Sequence, residues 1–163
     1  MTYIENVDKS LINIIPQIGT VEWIGVRTEK KGAIQILESA FVKKGSGLEG
    51  DHFKGSSSMK RQLTIIQMEH LQTVARILRR ENIDPELTRR NIVVSGINLL
   101  SLKDQKFRMG EVILETTGIC APCNRMESNL GIGGYNAMRG HGGITTTVIS
   151  EGKLELGDKV KIL

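Results

Sequence analysis

The sequence predicts a mainly β protein: a closed barrel of about seven or eight short strands with a few peripheral helices. Three observations carry that expectation. Short runs rich in β-branched residues, such as RQLTII, NIVVSG and ITTTVIS, recur along the chain. Glycine fills 18 of 163 positions and crowds into 45–55, 131–134 and 140–143, where turns or close backbone approaches are needed. Only one stretch has clear helical spacing, so strands do not alternate with helices as a doubly wound parallel sheet requires. Many short strands with Gly turns favour a sheet closed on itself.

Taken in order, residues 1–19 form a lead-in with a short helix around Leu11–Ile15, ended by Pro16. A single domain, 20–163, follows; that length suits one domain. TVEWIGVRTE sets Val21, Trp23 and Gly25 against Glu22 and Ile24, an imperfect period of two, and AIQILESAFV alternates in the same way. KKGSGLEGDHFKGSSSMK is too long for a hairpin turn, and loops of that length in compact domains are often functional. RQLTII reads as a strand. QMEHLQTVARILRREN reads as the helix, with Met68, Leu71, Ala75 and Leu78 at helical spacing beside Val74 and Ile77. Asp84-Pro85 starts a second helical turn, Asp as cap and Pro at the first position. RRNIVVSG is a buried strand or its start. FRMGEVILETTG makes two strands around Gly110, and CAPCNRMESNLGIGGYNAMRGHGG is irregular or weakly helical. ITTTVIS and KLELGDKVKIL close the chain as strands around Gly-Asp turns.

Composition narrows the function classes. Two cysteines two residues apart would close a trivial loop and staple nothing. A chain of this size buries enough core to fold without them. No signal-like segment and no apolar run of membrane length is present, so a reducing, cytoplasmic location is expected, with no membrane partner. The net charge of +4 is mildly basic, but the cations are scattered and the six aromatic side chains (three Phe, two Tyr, one Trp) are too few for base stacking. A pocket for an anionic small molecule fits the balance, and nucleic acid is not expected as a partner.

The two thiols, Cys120 and Cys123, stand in TGICAPCNRME. Four readings are open. A thioredoxin-like redox pair needs the head of a helix in a βαβ unit, and no parallel crossover follows here. A zinc site needs four ligands, and His52, His70 and His141 stand singly and far apart, His70 on the polar side of its helix. Both thiols as small buried hydrophobes is the plain reading. The fourth is a reactive or coordinating thiolate, its pKa lowered by Arg125 and the start of a short helix, able to carry sulfur or bind a soft metal. Elsewhere, Asp51 and His52 sit in the Gly-rich loop. Arg89, Arg90 and Asn91 precede an apolar strand, where guanidinium groups make an anion clamp available. Arg139, His141 and the backbone at Gly140, Gly142 and Gly143 offer amides to a phosphate. The plain alternatives are a solvent turn at Asp51 and His52, the usual state of a lone Gly-Asp, a turn residue at Asn91, and a Gly-rich strand entry at 139–143. No phosphate-loop or dinucleotide motif occurs.

As an ordered set, GLEGDHF, RQLTIIQMEHL, LTRRNIVVSGINL, FRMGEVILETTGICAPC and MRGHGGITTTVISEGKLELGDKVKIL resemble a single-domain MOSC protein, the family named after the C-terminal domain of molybdenum cofactor sulfurase. The resemblance implies a closed barrel of the MOSC and pyruvate-kinase-barrel type. It implies a cofactor, molybdenum cofactor (molybdopterin), and selects Cys123 as metal ligand or persulfide carrier, with Cys120 as a less constant companion. It carries Asp51, His52, Arg90, Asn91, Arg139, Gly142 and Gly143 over as cofactor-pocket residues. Nothing in the chain resembles the pyridoxal-phosphate desulfurase domain of the full sulfurase, so a sulfur donor would act in trans. KGSSSMK is Ser-rich where relatives show a His-Gly-Gly segment. A non-enzymatic cofactor carrier is the alternative to an enzyme.

Overall fold

The structure is a computed structural model that describes residues 8–53, 55 and 58–163. Eleven strands and three α-helices occur among the described residues. Strands β1 (Gly19–Val26), β5 (Leu63–Gln67), β6 (Ile92–Ser95), β7 (Lys106–Met109), β8 (Val112–Ile119), β9 (Ile144–Ser150) and β11 (Lys159–Ile162) form the ring β1–β11–β7–β8–β9–β5–β6, which closes back on β1. β2 (Gln35–Leu37) adds an eighth strand at the edge of β1. β3 (Ser39–Lys43), β4 (Gly47–Leu48) and β10 (Gly152–Glu155) form a small separate sheet. All barrel pairings are antiparallel except β5 with β6. The closed, mainly β barrel expected from the strand runs is therefore present.

The connection from β5 to its parallel neighbour β6 runs through α1 (Met68–Ile77), consistent with the need of parallel pairs for a crossover. α2 (Asn124–Leu130) and α3 (Gly134–Met138) lie between β8 and β9. Two apolar clusters result. Val21, Ile24, Leu63, Ile65, Ile92, Val94, Phe107 and Leu114 fill the barrel. Ile66 and Val93, on the opposite faces of β5 and β6, pack outside it against Leu71 and Val74 of α1, Met126 of α2 and Met138 of α3. β5 is covered on both sides, which is why LTIIQ is buried at every position, Thr64 and Gln67 included.

The structure departs from the sequence expectations at definite points. The imperfect alternation of the first strand is a register shift between Val21 and Trp23 against β6. After it, Ile24 faces the barrel, while the Trp23 ring lies across Gly25, where a Cβ would sit 2.1 Å from the indole. AIQILESAFV is not one strand: it breaks at Glu38, so that β2 joins the barrel and β3 joins the small sheet. The expected helix around Leu11–Ile15 is a 3₁₀ turn, Lys9–Asn13, capped by the Asp8 carboxylate and without buried residues. CAPCNRMESNLGIGGYNAMRGHGG, expected to be irregular or weakly helical, holds the two short helices α2 and α3. His70 does not face solvent; it is half-buried with its ring edge-on to His141, centroids 5.1 Å apart. Asp84 and Pro85 do open a helical turn, Pro85–Thr88, with the Asp84 carboxylate accepting from the Glu86 amide at 3.2 Å. Met1 to Val7 of the lead-in, and Lys54, Ser56 and Ser57 of KGSSSMK, lie outside the described residues.

Candidate functional site

Thr64 alternates with Leu63 and Ile65, whose side chains are inside the barrel, so it points out of it. Around it, on the outer face of β1, β5 and β6, opens a cavity of about 210 Å³. The end of β1 contributes Gly25 and Arg27, the Gly-rich loop Asp51 and His52, the approach to β5 Arg61 and Gln62, the approach to β6 Arg89, Arg90 and Asn91, and the chain after β8 Ala121 and Cys123. Sequence-distant loops meet here because β1 runs antiparallel to β6 and β6 parallel to β5. The end of the first strand thus lies beside the starts of the other two.

Of the residues singled out from the sequence, Asp51, His52, Arg90, Asn91 and Cys123 line this one cavity. Cys120, Arg139, Gly142 and Gly143 are not on its wall. Cys120 is fully buried, with its sulfur 3.5 Å from Nη2 of Arg61 and its amide donating to the Gly143 carbonyl at 2.9 Å. Gly142 and Gly143 stand where the backbone packs closely. A Cβ on Gly142 would sit 2.0 Å from the Cys120 carbonyl oxygen, and one on Gly143 1.9 Å from that of Ile65. Arg139 is exposed beyond α3 and donates to Asn136.

Arg90 behaves differently from the expected anion clamp. It is only 3% exposed, and all three of its guanidinium nitrogens donate to backbone carbonyls. Nε reaches Gly142 at 2.9 Å, Nη1 reaches Thr88 at 2.7 Å, and Nη2 reaches Cys120 at 3.0 Å and Ala121 at 3.4 Å. A buried cation bound only to carbonyl dipoles keeps its positive potential while fixing the loops around it. Arg90 therefore holds the thiol loop, the Gly-rich turn and the approach to β6 as one body.

Arg89 has the opposite character. It closes the Pro85–Thr88 turn in the left-handed region, φ 60°, a conformation uncommon for a non-glycine residue. Its guanidinium is only half-buried, and it and Cys123 lie close enough for the charge of each to act on the other. Burial lowers its pKa, the nearby Arg125 and Arg27 lower it further, and Cys123 acts in the other direction. Like charges are thus gathered around one sulfur.

Cys123 is exposed and stands immediately before α2. Partial burial pushes its thiol pKa up. That effect is outweighed by the backbone amides of Arg125 and Met126 and by the charges of Arg89 and Arg90, so the pKa falls below its ordinary value. The sulfur makes no regular capping bond to the helix; the amides act on it as close dipoles. Asp51 is buried, its Oδ1 accepting from the Arg27 amide at 2.9 Å and lying 3.6 Å from His52 Nδ1. Asn91 turns its Oδ1 to Thr64, accepting from the amide at 3.2 Å and the hydroxyl at 3.0 Å, and its side-chain nitrogen has no hydrogen-bond partner among the described residues.

Arg27, Arg61 and Gln62 escaped the reading of the sequence. Arg27 has no motif around it and Arg61 opens RQLTII as one more strand-entry cation beside Lys60, so only the strand pairing shows that both reach the cavity. Gln62 is largely consumed by structure: its Oε1 accepts from the amides of Gly45 and Val148, and its Nε2 donates to Met59 and Thr147. Among the described residues no group of three or more His, Cys, Asp or Glu side chains is placed to hold a metal by itself. No helix among them is long and apolar enough to cross a membrane.

The chain shares this architecture with solved bacterial proteins. The YUAD protein from Bacillus subtilis superposes with a TM-score of 0.78 at 19% identity, over 91% of this chain and 98% of that one. YiiM from Escherichia coli gives a TM-score of 0.66 at 18% identity, over 90% and 69%. YiiM from Geobacillus stearothermophilus gives 0.71 at 14% identity, over 89% and 75%. No curated protein matches the sequence. The family model described as the MOSC domain matches residues 49–161, a span that runs from the Gly-rich loop through the Cys123 loop to the last barrel strand, and the chain therefore belongs to the MOSC domain family.

Proposed function

We propose that Cys123 works as a thiolate that holds a soft partner at the cavity, either the molybdenum of molybdenum cofactor or a sulfur atom carried as a persulfide. The observation that supports this most directly is the pairing of an open thiol with an arginine side chain, Cys123 with Arg89, on the wall of a cavity rich in guanidinium groups. A thiolate so stabilised at neutral pH is a soft ligand and a good sulfur nucleophile.

The donor set fits the cofactor. Molybdopterin brings its own dithiolene sulfurs and a phosphate, so the protein needs to add one thiolate and cationic donors. Cys123 would supply the first, and Arg27, Arg61 and Arg89 the second, with the Asn91 amide available to a polar edge of the ligand. When bound, the cofactor would supply two-electron redox chemistry. What the chain itself contributes is a deprotonated sulfur, a positive surround and, through Arg90, a fixed position for the loop that carries the sulfur.

A carrier role without catalysis is the second reading. It is favoured by the state of the only carboxylate and histidine on the described cavity wall, Asp51 and His52, which are turned toward each other and the Arg27 backbone. In either reading the protein works in the reducing cytoplasm, and sulfur would arrive from a donor acting in trans. Purified protein should be assayed for molybdenum and pterin, and Cys123 examined by mass spectrometry for an added sulfur atom. Metal with turnover supports an enzyme, and an exchangeable sulfur adduct supports the carrier. An inert Cys123 with neither ligand rejects both.

A further inference from the structure

The arginines around Cys123 lack the counter-charge that arginines in folded proteins usually find. Arg27, Arg61 and Arg89 share the cavity wall with the thiol, and among the described residues none of the three forms an ion pair. One carboxylate, Asp51, is on the described wall, and its Oδ1 already accepts from the Arg27 backbone and lies 3.6 Å from His52 Nδ1. Arg27 anchors Nη2 on the Glu86 carbonyl at 3.2 Å, which positions the side chain without neutralising it. Like charges held this close are relieved by an anion, and a compact one suits a space of about 210 Å³.

An inert oxyanion would answer the charge and leave the nucleophile idle. One anion class answers both. We propose that the Cys123 cavity accepts sulfur from a small sulfane-sulfur oxyanion of the thiosulfate class, so that the protein acts as a small-molecule sulfurtransferase. The inference rests on the reading of Cys123 as a reactive thiolate and names the donor that could load it without a second protein. The thiolate attacks the outer sulfur of thiosulfate. A Cys123 Sγ–S bond forms, the S–S bond of the donor breaks, and sulfite leaves with that bond's electron pair. Three negative charges enter and three remain, as persulfide anion and sulfite dianion, and no proton moves. Sulfite is the group on which charge concentrates, and Arg27 and Arg61 would stabilise it there. A thiolate acceptor, or cyanide in an assay, then attacks the outer sulfur of the persulfide and returns Cys123 to its starting state.

The test incubates the full chain with thiosulfate alone and weighs it, then adds cyanide and measures thiocyanate. The expected result is a one-sulfur adduct on Cys123, absent in Cys123→Ser, with thiocyanate formed catalytically. The ratio of the thiosulfate rate to the rate of alkylation by uncharged iodoacetamide should fall about tenfold in Arg27→Gln, the loss of one hydrogen bond to a charged group. Arg61→Gln, altered at an exposed side chain, should lower the ratio in the same direction. If a cysteine persulfide loads Cys123 but thiosulfate does not, the donor assignment is wrong while sulfur carriage stands. If neither donor loads it, both readings fail. A ratio that neither arginine variant moves also overturns the assignment, because the oxyanion is then not held by this cavity.

Discussion

Nη2 of Arg90 donates to the carbonyl oxygen of Cys120 at 3.0 Å, in the interior and with no carboxylate in the arrangement. The same guanidinium holds Gly142 and Thr88, so three segments distant in sequence depend on one side chain. Arg90→Lys should not restore them, because an ammonium is a compact point charge that cannot span three carbonyls as the planar fork does. Arg90→Gln leaves buried carbonyls unpaired. We expect each variant to lose about 2–3 kcal/mol in chemical denaturation, set by the cost of unsatisfied buried acceptors. Thiol reactivity at Cys123 should also spread over more than one kinetic phase. A native-like stability in Arg90→Lys would show that the carbonyls do not need the fork.

Gly142 and Gly133 offer a matched comparison. A Cβ at 142 meets the Cys120 carbonyl oxygen at 2.0 Å and Arg90 Nη2 at 3.0 Å, both parts of the clamp. A Cβ at 133, where φ is +87°, meets nothing within 4 Å. Gly133→Ala therefore carries only the left-handed backbone cost, about 1 kcal/mol. Gly142→Ala should cost more than twice that, since backbone must move. Thermal denaturation of the two variants side by side measures the difference; equal losses would mean that the thiol loop yields easily.

How much of this was legible in the sequence follows from where the information lies. Barrel strands such as β5 and β9 were readable because apolar period and turn glycines are local properties. The break at Glu38 was not, because β2 and β3 look alike and differ only in which strand they pair with, a long-range choice. The small helices after Cys123 were hidden by their length and by glycines at 131, 133 and 134. At the site, Cys123 stood out as a rare residue in an odd neighbourhood. The exchange of roles between Arg89 and Arg90 was illegible: adjacent arginines are the same chemistry in one dimension. Both line the cavity, but Arg89, at the left-handed turn, is half-buried, while Arg90 is buried with its donors on backbone carbonyls.

His70 should make stability depend on pH. Burial lowers the His70 pKa, the neighbouring His141 lowers it further, and Glu69 opposes them; Nδ1 of His70 is buried with no hydrogen-bond partner among the described residues. The folded protein thus binds a proton at His70 less readily than the unfolded chain, whose value is near 6.5. The contribution of His70 is complete above that pH and is lost as pH falls toward the folded value. His141 Nδ1 donates to the Ala137 carbonyl at 2.9 Å, which fixes its ring against His70. Titration by NMR should place His70 below 6.5, and His141→Gln should raise it. A His70 that titrates at the unfolded value in wild type would refute the account.

Cys123 gives the sharpest pH test because its cause is external to the thiol. Burial acts to raise its pKa, while two amides and the charges of Arg89 and Arg90 act more strongly to lower it. The reactive species is the thiolate, so alkylation should rise with pH and reach half its maximum below the ordinary thiol value of 9.0. Arg89→Gln removes a charge that acts on the sulfur while leaving the Arg90 clamp untouched. Its midpoint should move up by roughly one pH unit, the size of effect a single adjacent charge produces. At pH near 7 the variant would then alkylate about tenfold more slowly, and the two rates would converge at high pH, where both sulfurs are ionised. Rates that stay apart at high pH would instead mean that Arg89 controls access to Cys123. Rates that coincide throughout would mean that the arginine has no hold on the sulfur.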